Sequence, residues 1–286
     1  MRTEPSYPQT TISDEDFHKF QEYFYRKTGI QFEPTKRYFV DKRILERMEA
    51  TESTTFRNYF IMLRFQASGE ELQHLTNAMT INETYFFRED YQFQCMVNSM
   101  LPKIVARKKT NTPIRIWSIP SSSGEEAYSI AIHLLEYWSG IDQWDVEIIS
   151  SDIDTNMITQ ARRGCYSPRS VQHVPSNLLK KYFTHTDDGY QICDDLRQSV
   201  EFTRVNLTEP SDTRSYRDFD IIFCRNLLIY FDELSRKAAA ETFYDALRPG
   251  GYLCLGHSES MSRISSIYHV HKFPEAIVYQ KPLEVR

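Results

Sequence analysis

The sequence predicts an α/β fold, a mostly parallel sheet with a terminal antiparallel hairpin, preceded by a small all-α domain. Three observations predict it. Up to about residue 107 the apolar residues recur at helical spacing. From residue 113 short apolar runs alternate with helical stretches, the pattern of parallel strands covered on both faces. The last two runs stand close enough to pair as a hairpin. At 286 residues the chain has length enough for one large domain or two smaller ones.

The elements follow in order. Residues 1–12 read as a frayed tail. Ser13 with Asp16 makes a capping-box-like start, Phe17, Phe20 and Phe24 recur at helical spacing, and Thr28–Gly29 stops that helix. A second helix opens after Pro34 with Val40, Ile44 and Met48 on one stripe, and more helical text covers about 54–65, 69–78 and 90–107. Helical text over 13–107 thus sets one domain apart from 108–286. In the second, Ile114–Ile119 reads as a strand, Glu125–Trp138 as a helix, Val146–Ser150 as a strand and 155–163 as a helix. After an irregular stretch come strands at Val200–Thr203 and Phe219–Cys224 and a helix at about 233–247. Pro249–Gly250–Gly251 breaks that helix ahead of a strand at Tyr252–Gly256. Val270–Phe273 and Ala276–Gln280 form the hairpin.

Composition narrows the function classes. A net charge of −5 argues against general nucleic-acid or membrane-surface binding. The five cysteines are scattered, with no pair at metal-ligand spacing, and read as reduced core thiols. No signal-peptide-like start and no run of eighteen apolar residues occur, so a cytoplasmic protein is expected.

In open α/β sheets ligands bind at the carboxyl ends of strands. The first such loop holds Ser121–Ser122–Ser123–Gly124–Glu125–Glu126 ahead of a helix. Small residues let backbone approach a ligand, but two glutamates oppose phosphate and favour a hydroxyl-bearing or cationic one. The alternative is that both only complement the helix dipole. There is no GxGxxG, which weakens NAD, FAD and ATP readings. Asp152 ends the second strand, where a carboxylate can accept ribose hydroxyls; Asp152 and Asp154 capping the next helix is the alternative. Arg225–Asn226 and Tyr230 follow the fourth strand.

Five ordered motifs then carry a resemblance: Asn82–Glu–Thr84–Tyr–Phe–Phe–Arg88–Glu89, SSGEEAYSIAI, SDIDTNMITQAR, FDIIFCRNLLIYF and LRPGGYLCLGHSES. Together they span roughly residues 82–260 and resemble the CheR family of chemotaxis receptor glutamate methyltransferases. The resemblance implies a helical domain, a Rossmann-like S-adenosyl-L-methionine domain and an inserted β-subdomain at about 168–203. It implies esterification of glutamates on the cytoplasmic helices of chemoreceptors, with S-adenosyl-L-homocysteine as product. Residue by residue it implies that Asn82, Thr84 and Arg88 contact the cofactor from the interdomain side. Glu126 and Asp152 would hold its amino and ribose groups, Asn206 and Leu207 flank adenine, and Arg225 and Asn226 close the pocket. Arg88 and Tyr230 match positions proposed for catalytic roles; a packed aromatic is the alternative for Tyr230.

A carboxylate acceptor is ionised at neutral pH, so in-line positioning and removal of water matter more than a general base. Lys36, Arg43 and Arg47, spaced i, i+7 and i+11, would dock an acidic receptor bundle, within a segment 26–47 that holds seven basic and three acidic residues. A solvated helix face is the alternative. Two features depart from the family. Ile119–Pro120–Ser121 replaces smaller residues, and the Asp187–Asp188–Gly189 turn is compact for gripping a receptor tail. The competing functions are a regulatory scaffold that binds the cofactor without catalysis, and a methyltransferase for nucleic acid or a small molecule. A monomer is the expected state.

Overall fold

The computed structural model describes residues 11–109 and 111–283. Most of the expected tail, residues 1–10, lies outside the described residues, while Ile12 is buried in the helical core rather than frayed.

The chain forms two compact units, Met1–Ile81 and Asn82–Arg286. The first is helical: α1 (Asp14–Thr28), a 3₁₀ turn Pro34–Lys36, α2 (Arg37–Ala50), α3 (Phe56–Phe65) and α4 (Glu70–Met79). Ser13 caps α1 by accepting from the Asp16 N–H, and Gly29, at φ 72°, ends it by donating to the Tyr25 carbonyl. Phe17, Phe20 and Phe24 meet Val40, Ile44, Tyr59, Leu63 and Leu75 in one core.

The units divide after Ile81, not near residue 107. The segment that follows is helical, yet it belongs to the sheet. In α5 (Tyr91–Cys95), a π turn Met96–Met100 and α6 (Leu101–Val105), Phe93, Met96, Met100 and Leu101 sink into the core of the second unit. Burying each such side chain contributes about 1.5–3 kcal/mol, which ties the segment to what it packs on. The π turn sits just ahead of Pro102, whose ring would crowd a regular α-turn.

The second unit continues with β1 (Ile114–Ser118), α7 (Glu125–Tyr137), β2 (Val146–Asp152) and α8 (Thr155–Arg163). Next come β3 (Cys165–Tyr166), α9 (Ser176–Tyr182), β4 (Phe183–Thr186), β5 (Gly189–Ile192) and α10 (Asp194–Gln198). Then follow β6 (Val200–Arg204), α11 (Pro210–Thr213), β7 (Phe219–Cys224), α12 (Glu233–Ala246), β8 (Leu247–Leu255), β9 (His269–Lys272) and β10 (Ile277–Gln280). The main sheet has the order β6-β2-β1-β7-β8-β10-β9. Its first five strands are parallel, and β10 runs antiparallel to both β8 and β9. Chain order therefore reverses between β1 and β7, the crevice where such sheets bind ligands.

Two boundaries differ from the sequence reading. The inserted sheet, ordered β3-β5-β4, spans 165–192, and Val200 is not part of it. Val200 pairs with Ile148 and is buried as the edge of the main sheet. The strand expected from Tyr252 begins at Leu247, because Pro249–Gly250–Gly251 is absorbed as an irregular pairing against β7. Among the described residues no helix is long and apolar enough to cross a membrane.

Candidate active site

The loop after β1 turns back on β2. Ser121 N–H donates to the Ser151 carbonyl at 2.7 Å, and Ser122 N–H donates to Asp152 Oδ2 at 2.7 Å. Gly124, at φ 97°, then opens α7. A Cβ there would lie 3.0 Å from Ala161, 3.1 Å from Tyr128 and 3.2 Å from Phe202, so the glycine lets loop, helix and sheet close together. Ahead of it, Ile119 N–H bonds to the Phe223 carbonyl at 2.8 Å.

The two glutamates part company. Glu125 is buried and accepts from Ser170 Oγ at 2.6 Å and Ser123 Oγ at 2.8 Å, tying α7 to the insertion. Glu126 accepts from Ser118 Oγ at 2.8 Å and pairs with Arg225 Nη1 at 2.9 Å. Burial pushes both carboxyls up, against Ser170 and Ser123 for Glu125, and against Arg225 and Ser118 for Glu126.

Asp152 closes β2 with Oδ1 accepting from Asp154 N–H at 2.9 Å. Burial raises it to about 6, with backbone N–H bonds from Asp154, Ser122 and Ile153 opposing. It does not cap α8. Asp154 does, accepting from Asn156 N–H at 2.9 Å and Met157 N–H at 3.2 Å, while Asn82 donates to its other oxygen at 3.1 Å. Beyond β6, Val205 N–H bonds to the Asp152 carbonyl, which carries Asn206 and Leu207 to the same sheet edge. Both are buried, and Asn206 Oδ1 accepts from the Thr208 N–H and hydroxyl.

Arg225 is the hub. Its side chain is 2% exposed, and besides Glu126 it approaches Glu89 Oε2 at 3.5 Å, donates to the Arg88 carbonyl and lies 5.2 Å over the Phe93 ring. It thereby pins the tight turn at 86–90, in which Phe87 and Glu89 both take positive φ. Burial works to raise Glu89, but the charge of Arg225 and the hydrogen bonds of His257 outweigh it and hold it low. Arg88 projects from this turn, its Nη1 on the Glu83 carbonyl at 2.7 Å and its guanidinium 5.7 Å from the Tyr85 ring. Thr84, half-buried, precedes it. Tyr230 is half-buried in a 3₁₀ turn Leu228–Tyr230; burial raises its hydroxyl, with the positive charge of Arg88 opposing. Asn226, at φ 60°, follows Arg225 and donates its N–H to Glu259 at 2.9 Å.

Asn82, Thr84, Arg88, Glu126, Asp152, Asn206, Leu207, Arg225, Asn226 and Tyr230 all belong to the second unit. Glu126, Asp152, Asn206, Leu207, Arg225, Asn226 and Tyr230 lie at or just beyond the carboxyl ends of its parallel strands. Arg88 lies in the turn pinned to them, and Asn82, bonded to Asp154, and Thr84 lie in the segment ahead of that turn. The helical unit holds the three basic residues differently from expectation. Lys36 lies in the 3₁₀ turn ahead of α2. Arg47 is committed to a two-pronged pair with buried Glu71, at 3.0 and 2.6 Å, and Arg43 pairs with Glu46 at 2.8 Å beside the Phe39 ring. Ser122, Glu89 and Glu259 were not singled out from the sequence. All three lie inside quoted motifs, which was the signal available.

Two family descriptions match the chain: the CheR methyltransferase SAM binding domain over residues 82–277, and the CheR methyltransferase all-alpha domain over residues 15–80. The chain belongs to the CheR methyltransferase family. It is 56% identical to Chemotaxis protein methyltransferase 2 of Vibrio cholerae, over 96% of this chain and 95% of that one. It is 36% identical to Chemotaxis protein methyltransferase 2 of Pseudomonas aeruginosa, over 88% and 89%. It is 32% identical to the Chemotaxis protein methyltransferase of Escherichia coli, over 88% and 87%. As a CheR methyltransferase it uses S-adenosyl-L-methionine. The donor set fits that group. Ionised carboxylates offer about four acceptor positions each. Glu126 uses two on the protein and Asp152 three, from the Ser122, Ile153 and Asp154 N–H groups, which leaves capacity for ammonium and hydroxyl donors. Among the described residues no group of three or more His, Cys, Asp or Glu is placed to hold a metal ion.

Proposed function

We propose that the chain transfers methyl groups from S-adenosyl-L-methionine to glutamate carboxylates on the cytoplasmic helices of chemoreceptors, as an adaptation enzyme of chemotaxis working in the cytoplasm. One observation carries the reading. Arg225, itself paired with Glu126, fixes through the Arg88 carbonyl the turn that presents Arg88, and the charge of Arg88 acts on Tyr230.

Bound at this edge, the cofactor supplies an electrophilic sulfonium methyl. Asp152 would accept from its ribose hydroxyls and Glu126 from its ammonium, while Asn206 and Leu207 would flank the adenine. Asn82 and Thr84 would contact it beside Arg88, and Arg225 and Asn226 would line the remaining wall. Arg88 would hold a carboxylate through its planar fork. The raised Tyr230 hydroxyl stays protonated at neutral pH and can donate to the acceptor oxygen, orienting it for attack. No general base is required, because a glutamate acceptor with an ordinary pKa of about 4.3 is already ionised. Lys36 and Arg43 would meet acidic receptor helices, with Arg47 contributing mainly through the pairing of α2 with α4.

The test is incubation of the purified protein with radiolabelled S-adenosylmethionine and a chemoreceptor cytoplasmic fragment, followed by mild alkali. Methyl esters release methanol, so base-labile label on the receptor is the expected result. Alkali-stable label would sink the ester assignment. Tight S-adenosylhomocysteine binding without any transfer would favour a scaffold that has lost catalysis.

A further inference from the structure

The loop that carries Arg225, Asn226 and Tyr230 leaves β7 with its backbone amides pointing toward one side chain. Glu259 Oε2 accepts from Asn226 N–H at 2.9 Å and from Gly256 N–H at 2.9 Å, and Oε1 accepts from Leu228 N–H at 2.8 Å. The Ile229 amide also bonds to it. One carboxylate thus satisfies four donors from two loops, those that follow β7 and β8. Such convergence of backbone N–H groups forms an anion nest, here filled by the protein itself. Asn226 holds φ 60° at the centre of it, a conformation that asparagine tolerates better than most residues. Gly256 completes the fit: a Cβ would lie 2.9 Å from Glu259 Oε2 and 2.9 Å from Asn226 Nδ2, so a side chain there must push the two apart.

We propose that Glu259 is a positioning residue for methyl transfer, whose carboxylate sets the post-β7 loop so that Arg225, Asn226 and Tyr230 face cofactor and acceptor. It touches neither reactant; it acts through the amides of residues 226, 228 and 229. The assignment rests on the reading of this edge as the cofactor site. Glutamine is the discriminating replacement. It keeps size and fold but replaces one oxygen with an NH₂ group. Since both oxygens accept from the backbone, either amide orientation sets a donor against a donor.

The experiment compares wild type, Glu259→Gln, Gly256→Ala and Asp220→Asn. Asp220 lies at the far end of β7, buried among Lys108, the Arg115 N–H and Arg248, and reports loss of stability without contact to the loop. S-adenosylhomocysteine affinity is measured by calorimetry, and hydrogen exchange is followed at amides 226–229. The expected result is that Glu259→Gln weakens affinity by about tenfold or more and exposes those amides. Gly256→Ala should do the same through the opposite side of the contact, covering the case in which one variant fails to fold. Asp220→Asn should lower the melting temperature yet keep affinity near wild type. Wild-type affinity in Glu259→Gln, or an equal loss in Asp220→Asn, overturns the positioning role alone. A wild type that does not bind S-adenosylhomocysteine overturns the reading of the site, and the role with it.

Discussion

Replacing Arg225 by methionine removes a cation whose side chain is 2% exposed and leaves Glu126 and Glu89 facing each other across its place. Methionine preserves much of the volume and the contact with the Phe93 ring, so the loss is chiefly electrostatic. Removing one partner of a buried pair costs about 3–5 kcal/mol, since the other charge stays buried without compensation. For a unit of this size each kcal/mol moves the midpoint by about 2–4 °C, so the melting temperature should fall by roughly 6–20 °C. The pH dependence gives an internal check. Glu126 already stands above the ordinary carboxylate range because burial outweighs Arg225, and losing Arg225 raises it further. A carboxyl with a raised folded pKa contributes stability that is present below its unfolded pKa and lost as pH rises through the folded one. Arg225→Met should therefore lose less at pH 5 than at pH 8, and adding Glu126→Gln should recover part of the loss at pH 8. Thermal unfolding followed by circular dichroism reads all three. A loss below about 1 kcal/mol, or no recovery in the double variant, would refute the idea that a desolvated charge network holds the Arg88 turn.

Three further outcomes are expected. S-adenosylhomocysteine affinity should fall by about tenfold between pH 7 and pH 5 if an ionised Asp152 holds the ribose, since its carboxyl sits at about 6; an unchanged slope in Asp152→Asn would assign the effect elsewhere. Tyr230→Phe should lower kcat while leaving S-adenosylhomocysteine affinity within about twofold, as its hydroxyl is assigned to the acceptor rather than the cofactor; a parallel loss of affinity would move it into the cofactor wall. Gly124→Ala places a side chain at φ 97° and 3.0 Å from Ala161, and should cost about 1–3 kcal/mol in urea unfolding; a neutral result would mean the loop can shift without harm.

What was legible in the sequence was local. Ser13, Gly29 and the Phe17–Phe20–Phe24 stripe act within one helix, so spacing alone placed α1. Strand β7 is buried throughout, β1 over most of its length and β2 at its carboxyl end, and each is a short apolar run recognisable without its neighbours. Hidden were the facts that depend on partners far along the chain. Helical text over 91–105 reads the same whichever unit it packs on, and the burial of Phe93 and Met96 among sheet residues decides it. The basic stripe on α2 could not show that Arg47 is spoken for, because Glu71 lies 24 residues on. The inserted strands are two to four residues long and largely polar on their open face, which leaves periodicity little to detect.

Ser-Ser-Gly-Glu-Glu joins the two kinds of information. The motif pointed to a ligand loop, and two adjacent carboxylates looked equivalent as helix-dipole partners. Consecutive helix positions lie about 100° apart, so the pair cannot share one role once α7 has a buried face on each side. Glu125 turns to Ser170 and Ser123 of the insertion side, and Glu126 turns to Ser118 and Arg225 at the sheet edge. Substitution should separate them accordingly. Glu125→Gln keeps bonds to two hydroxyls, one of which can reverse its donor role. Glu126→Gln can set its oxygen on Arg225 and its NH₂ on Ser118 but loses the negative charge that faces the buried guanidinium. The first should leave S-adenosylhomocysteine affinity near wild type and the second should weaken it. Equal effects in calorimetry would mean that both carboxylates serve the fold alone.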